Sequence, residues 1–280
     1  MLKKLLAAVA AIAITTAFAP EAGATNYTLY IHGRTGGTPS GWDYWAHGTG
    51  AVGVNAVPVN YDGTAHVWDS NPTVVAYLDA YCTQGNACYV VCHSAGCAQI
   101  GYAYAKYGSS HGWSVPWVEA GGSAAGGSEL AGNVSAFFTG YNLDNDLAIG
   151  TMRGLYNHDT VGDLIWSSVY TYSGNDWASA TSWLFNGGND TAVAVHSSAH
   201  YRGVTSTTGA AAPSGATYWD WTKTAWVDPN NVCVGDIFGW CSGGHSGSTG
   251  HCTAGSGLCY EGTYGGVMGQ AKSFASQNAH

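Results

Sequence analysis

Charge is scarce in this 280-residue chain, where Asp, Glu, Lys and Arg together make up 9% of the residues. Cations are scarcer still, at 8 Lys plus Arg against 17 Asp plus Glu, and after Lys3-Lys4 they form no run. Nucleic acid and anionic membrane surfaces both need clustered cations, so neither is expected as a partner. Beyond the N-terminal segment no stretch is apolar for long enough to span a bilayer, so no integral membrane segment is expected there. No internal repeat is visible, which argues against a solenoid or a propeller.

The N-terminal segment has a different character. Lys3 and Lys4 precede the apolar run "LLAAVAAIAITTAFA", and "AGA" (Ala22 to Ala24) follows with small residues at alternate positions. That is the pattern of a secretory signal, so residues 1–24 are expected to be removed, leaving Thr25 first. Loss of Lys3, Lys4 and Glu21 takes the 8 basic and 17 acidic residues to 6 and 16, a net charge of about −10. Residues 25–280 are long enough for one domain with a sizeable core. An exported protein with a Gly- and Trp-rich, charge-poor composition is expected, with 41 Gly and 12 Trp.

All eight cysteines lie after the leader: Cys82, Cys88, Cys92, Cys97, Cys233, Cys241, Cys252 and Cys259. An even number in an exported chain favours disulfides. Pairing of sequence neighbours gives Cys82–Cys88, Cys92–Cys97, Cys233–Cys241 and Cys252–Cys259. A zinc site from Cys241, His245, His251 and Cys252 is the alternative, disfavoured by an oxidising compartment.

Short apolar runs alternate with helical patterns. Residues 27–31, 51–61, 87–92 and parts of "WSVPWVEAGG" and "LIWSSVYTYSG" read as strands. Residues 216–227, "ATYWDWTKTAWV", read as one more. "SNPTVVAYLDAYC" reads as a helix capped by Asn71 with Pro72 at its first position. Ala95 to Tyr107 reads as a helix ending at Gly108. The alternation predicts an α/β domain with a mostly parallel central sheet flanked by helices. Residues 205–265 form a Gly/Ser-rich, cysteine-containing elaboration, read as a stapled C-terminal loop region.

The stretch "YVVCHSAGCAQIGYAYAKYG" carries the clearest chemical signal. Ser94 ends a buried strand and starts a helix rich in small residues. A sharp strand-to-helix turn crowds the positions two before and two after its central residue. Gly96 meets that demand; Cys92 stands where the G-x-S-x-G elbow has Gly, and a bridge to Cys97 across the turn would accommodate it. An acyl-transfer nucleophile also needs amides aimed at the developing oxyanion. The residue after the serine, Ala95, offers one. The loop "HGRTGG" after the first strand offers another, at Arg34. A carboxylate to orient an imidazole is available at Asp190, in "NGGNDTAVAVHSSA"; this role is favoured over that of a helix N-cap. The chain order Ser, acid, His points to a histidine after Asp190. His245, in "CSGGHSG", is favoured, followed by His251 and His200.

Together these residues resemble the secreted bacterial lipases and esterases of the α/β-hydrolase fold. The shared features are His32-Gly33-Arg34 after an early strand, the Cys92-His93-Ser94-Ala95-Gly96 elbow, "GGSELAG" (Gly126 to Gly132), the Asp190 loop and "GHSG" around His245. The resemblance covers roughly residues 27–247; Cys92 and Thr191 depart from the family pattern. It implies a single α/β-hydrolase catalytic domain with the triad Ser94, Asp190 and His245 and oxyanion donors at Arg34 and Ala95. It also implies hydrolysis of carboxylic esters through an acyl-enzyme. No cofactor is expected. Many such lipases bind structural Ca²⁺, for which "NLDNDL" (Asn142 to Leu147) offers oxygen ligands. The expected partner is an ester substrate, lipid or polyester, bound by an apolar wall drawn from Trp42, Tyr44, Trp45 and the aromatics of 216–227, and the chain is expected to be a monomer. A polyester depolymerase, a peptidase or amidase with the same triad, and a non-catalytic binding protein on the same scaffold are the competing readings. The Arg34 side chain could also recognise a carboxylate.

Overall fold

The computed structural model describes residues 23–34, 53–133, 140–156, 169–172, 192–193, 197, 205–206, 219–220, 225–226 and 275–280. Six strands form one sheet in the order β2-β1-β3-β4-β5-β6. They are β1 (Asn26–Ile31), β2 (Ala56–Val59), β3 (Ala87–His93), β4 (Trp117–Gly121), β5 (Val169–Tyr172) and β6 (Thr205–Ser206). Every pairing is parallel. Parallel neighbours need crossovers, and two of these are the helices α1 (Val67–Tyr81) and α2 (Ala95–His111). Three short helices follow β4: α3 (Glu129–Asn133), α4 (Asn142–Asp146) and α5 (Ile149–Leu155).

Strand alternation divides the side chains between two faces. Leu29, Ile31, Val90, Cys92, Val118 and Ala120 share one buried cluster with Val74, Leu78, Ala98 and Ile100 of α1 and α2. The two helices are locked together by a polar network within this apolar layer. Asn71 Nδ2 donates to the Gln99 carbonyl and to Gln99 Oε1, both at 2.8 Å, and Gln99 Nε2 donates to Ser70 Oγ at 2.7 Å. The disulfide Cys82–Cys88 joins the end of α1 to the start of β3. At the opposite end of the chain, the Ala279 and His280 carbonyls accept hydrogen bonds from the Val54 amide, Asn26 and Tyr89, which ties the C-terminus to the amino edge of the sheet.

Several element boundaries differ from the sequence expectation; the second strand, read as residues 51–61, is confined to Ala56–Val59. Helix α1 starts at Val67, so Asn71 is not its cap and Pro72 lies inside it. Its cap comes from far along the chain: the Asp146 carboxylate accepts the Val67 amide at 2.8 Å. Helix α2 passes through Gly108 and stops at Gly112, the residue that turns left-handed, with φ of 66°. Residues 216–227 are not one strand; β7 (Trp219–Asp220) and β8 (Ala225–Trp226) pair antiparallel with each other, apart from the main sheet.

The other face of the sheet holds Tyr30, Val91 and Glu119, which are neighbours in register and buried. Glu119 is fully buried, and neither carboxyl oxygen has a hydrogen-bond partner among the described residues. Burial pushes its pKa well above the usual carboxylate range, because the charged form would be desolvated without compensation. Folding therefore takes up a proton at this site once the pH exceeds the unfolded value of about 4.3. The stability Glu119 contributes is complete below that value and is lost as pH rises toward its folded pKa. Glu119→Gln should raise the melting temperature at neutral pH and leave it little changed near pH 4. The gap between the two proteins should widen by about 1.4 kcal/mol for each pH unit of this window. Melting curves of both from pH 4 to 8 check this, and parallel curves would refute it.

Candidate active site

The site is built where β3 hands the chain to α2. Val90, Val91 and Cys92 form the buried centre of the sheet, and the chain then reverses at Ser94 with φ of 55° and ψ of −127°. Such angles are strained for any residue with a Cβ. Three backbone hydrogen bonds impose them. The Ser94 amide donates to the Gly121 carbonyl at the end of β4, and the Ser94 carbonyl accepts from Ala124 and Cys97, all within 3.1 Å. The elbow is thus clamped to the exit of the next strand.

The end of β1 closes the elbow from the other side, and two glycines permit it. A Cβ on Gly96 would lie 2.3 Å from the His32 carbonyl oxygen and 2.5 Å from that of Ile31. A Cβ on Gly33 would lie 2.6 Å from Ser94 Cβ and 3.1 Å from Ser94 Oγ. The residue that follows Gly33 is Arg34, so the loop expected to carry an oxyanion donor does border the serine hydroxyl. The Cys92–Cys97 disulfide spans the turn, with its Cα atoms 5.0 Å apart. This bridge explains how cysteine stands where the elbow pattern has glycine. Ala95 is the first residue of α2, where an amide has no acceptor within the helix and the helix dipole is positive.

His32 supports the loop rather than the chemistry. Its ring is stacked on Tyr61 at 4.2 Å, and the Tyr61 hydroxyl donates to the His32 carbonyl at 2.6 Å. Burial pushes the imidazole pKa down to about 4, outweighing the Gly33 and Tyr61 carbonyls that face its two ring nitrogens and favour the cation. The ring is neutral in ordinary buffers, so this corner should not titrate between pH 5 and 9.

The Arg34 side chain is committed within the protein. Its Nε and Nη2 form a fork onto the two carboxylate oxygens of Asp144, the latter at 3.0 Å, and its guanidinium lies 4.8 Å above the Tyr141 ring. The expected recognition of a substrate carboxylate is therefore replaced by recognition of an internal one. Asp146, two residues on, accepts from His66 Nδ1 at 2.9 Å and from the Val67 amide. The four carboxylate oxygens of residues 144 and 146 thus all face N–H donors, the arrangement of a polar turn. No group of three His, Cys, Asp or Glu able to hold a metal occurs among the described residues. The sequence reading passed over the Arg34–Asp144 pair. A solitary arginine close to Ser94 in so charge-poor a chain was the available signal that a carboxylate must meet it.

The "GGSELAG" stretch meets the segment that follows Asp190. The Gly126 amide donates to the Ser197 carbonyl at 3.1 Å, and Ser128 Oγ donates to the Ala192 carbonyl at 2.5 Å. A Cβ on Gly126 would lie 2.6 Å from Ser197 Cα, so the contact requires glycine there. Asp190 itself, His245, His251 and His200 lie outside the described residues, as do the proposed pairs Cys233–Cys241 and Cys252–Cys259, Trp42, Tyr44 and Trp45.

No protein-family model matches this chain, and neither does any curated protein. Solved structures do. The Bacillus licheniformis lipase BlEst2 in its propeptide form superposes with a TM-score of 0.50 at 18% identity, covering 67% of this chain and 46% of that one. The fold is that of the α/β hydrolases. The mature form of the same lipase covers 65% of this chain and 82% of that one at 20% identity and a TM-score of 0.49. Phospholipase PlaB from Legionella pneumophila covers 63% and 45% at 17% identity and a TM-score of 0.44. In an α/β-hydrolase fold the carboxyl edge of the parallel sheet is where ligands gather, and Ser94, Gly33 and Arg34 all stand on that edge here.

Proposed function

We propose that this chain is a secreted serine hydrolase that cleaves carboxylic esters. The observation that carries the proposal is the left-handed Ser94 at a strand-to-helix elbow, with the glycine of the "HGR" loop pressed against its hydroxyl. In this reading His245 takes the Ser94 proton as Oγ bonds to the ester carbonyl carbon. Asp190 orients the imidazole and stabilises its cation. The amides of Ala95 and Arg34 hold the oxyanion, each worth roughly 2.7–4 kcal/mol. The C–O bond to the alcohol then breaks, the alcohol leaves with the proton from His245, and water releases the acid from the acyl-enzyme. Export is supported by the leader-like residues 1–24 and by the disulfides Cys82–Cys88 and Cys92–Cys97. Among the described residues no helix is long and apolar enough to cross a membrane.

Turnover of p-nitrophenyl esters of increasing acyl length, with fluorophosphonate labelling in parallel, tests the proposal. Hydrolysis and labelling by the wild type, both lost in Ser94→Ala, support it, and the acyl-length profile separates esterase from lipase. Adsorption to polyester particles with release of monomer would mark a depolymerase. Silence in every assay would leave a binding protein on a hydrolase scaffold.

A further inference from the structure

We propose that Asp144 is a positioning residue that, through Arg34, holds the residue-34 amide in place as an oxyanion donor. The inference rests on the ester-hydrolase reading and adds to it a second, remote component of the oxyanion site. The premise is geometric. A preorganised donor is effective only when held to within roughly half an ångström and 10–20° of its productive position. Residue 34 follows Gly33, which has no side chain to anchor it and no room for one. On the N-terminal side, His32 is fixed by Tyr61. On the other side, the fixture among the described residues is the Arg34 side chain.

That side chain ends on a rigid body. The Asp144 carboxyl is buried, 8% exposed against 23% for Arg34. It takes both arms of the guanidinium and also accepts the Tyr141 amide at 3.0 Å. Tyr141 in turn lies under the guanidinium. The surrounding segment is pinned along its length. The Leu143 amide donates to the Thr64 carbonyl at 3.1 Å, Asp146 caps α1, and the Leu147 carbonyl accepts from Ser128 at 2.7 Å. Leu143 and Leu147 are buried in the core. Residues 141–147 therefore form a strap across the carboxyl edge of the sheet, tied to the α1 start, to the Ser128 turn and to Arg34. A bidentate fork fixes orientation as well as distance, which a lysine ammonium does not.

The test separates an anchored amide from a substrate contact. Arg34→Ala keeps the backbone N–H and removes only its anchor; Asp144→Ala removes the far end of the same anchor. Each should lower kcat for p-nitrophenyl butyrate roughly ten- to hundredfold, a part of the loss seen when an oxyanion donor is deleted outright. KM should stay within about twofold, fluorophosphonate labelling should slow in step, and the double variant should be no worse than the poorer single one. Arg34→Lys, which keeps the charge without the fork, should fall between wild type and Arg34→Ala. Wild-type kcat in folded Arg34→Ala or Asp144→Ala overturns the inference, as does a rise in KM with kcat unchanged, which would mean that Arg34 touches substrate. If Asp144→Ala does not fold, the two Arg34 variants decide the matter. A wild type that neither hydrolyses nor labels overturns the ester-hydrolase reading, and this inference with it; an active wild type with indifferent variants overturns this inference alone.

Discussion

On the proposed mechanism Ser94→Ala should lower kcat for ester hydrolysis by on the order of 10⁴-fold or more, because alanine has no oxygen to carry the acyl group. Its melting temperature should hardly move. Alanine keeps the Cβ, so it keeps the strain of φ 55°, ψ −127° that the Gly121, Ala124 and Cys97 hydrogen bonds impose. Ser94→Gly should be equally inactive but more stable. Release of a backbone strain of about 1–3 kcal/mol is offset by about 0.5–1 kcal/mol of extra chain entropy in the unfolded state. The expected net gain is about 1 kcal/mol, or roughly 2–4 °C in a chain of this size. Rates and melting curves for the three proteins check both halves. Ser94→Gly melting below Ser94→Ala would mean that no strain is stored at the nucleophile.

The second large effect is expected at Gly96. Gly96→Ala would drive a methyl group into the backbone carbonyls of Ile31 and His32 at the end of β1, which cannot rotate aside as a side chain could. Either β1 separates from the elbow or the helix start lifts off the strand. The expected cost is on the order of 3 kcal/mol or more, with ester hydrolysis lost because the "HGR" loop moves with β1. The same substitution at Gly150 or Gly154 in α5 meets nothing within 4 Å. There it should stabilise by about 0.5–1 kcal/mol, the ordinary helix preference for Ala over Gly. Chemical denaturation of the three variants provides the check; equal effects at Gly96 and Gly150 would contradict the steric account.

The features legible in the sequence are those whose causes are local. The turn at Ser94 needs small neighbours within two residues, so "CHSAG" announces it. The run "ACYVVC" is apolar and β-branched because a parallel strand is buried on both faces. Cys82–Cys88 and Cys92–Cys97 pair across separations of 6 and 5 residues, so proximity in the chain was a sound guide. The features that escaped it depend on distant partners. The start of α1 is set by Asp146, 79 residues beyond Val67. The function of the Arg34 side chain is set by Asp144, 110 residues away, in a segment whose letters spell only a polar turn. Within α2, Gly108 and Gly112 look alike as letters, and only the left-handed backbone at Gly112 tells which one ends the helix.

The strand order has a further consequence. Strand β3 has a parallel neighbour on each side, β1 and β4, and those in turn are flanked by β2 and β5. Its amides cannot be uncovered by fraying an edge; they open only when the sheet comes apart. In hydrogen–deuterium exchange, Val90, Val91 and Cys92 should therefore retain label until global unfolding, while β2 and β6 exchange through smaller openings. A cut in an exposed turn would leave the support of Ser94 intact, so the elbow should outlast the outer strands in limited proteolysis, a consequence of where in the sheet the serine is mounted.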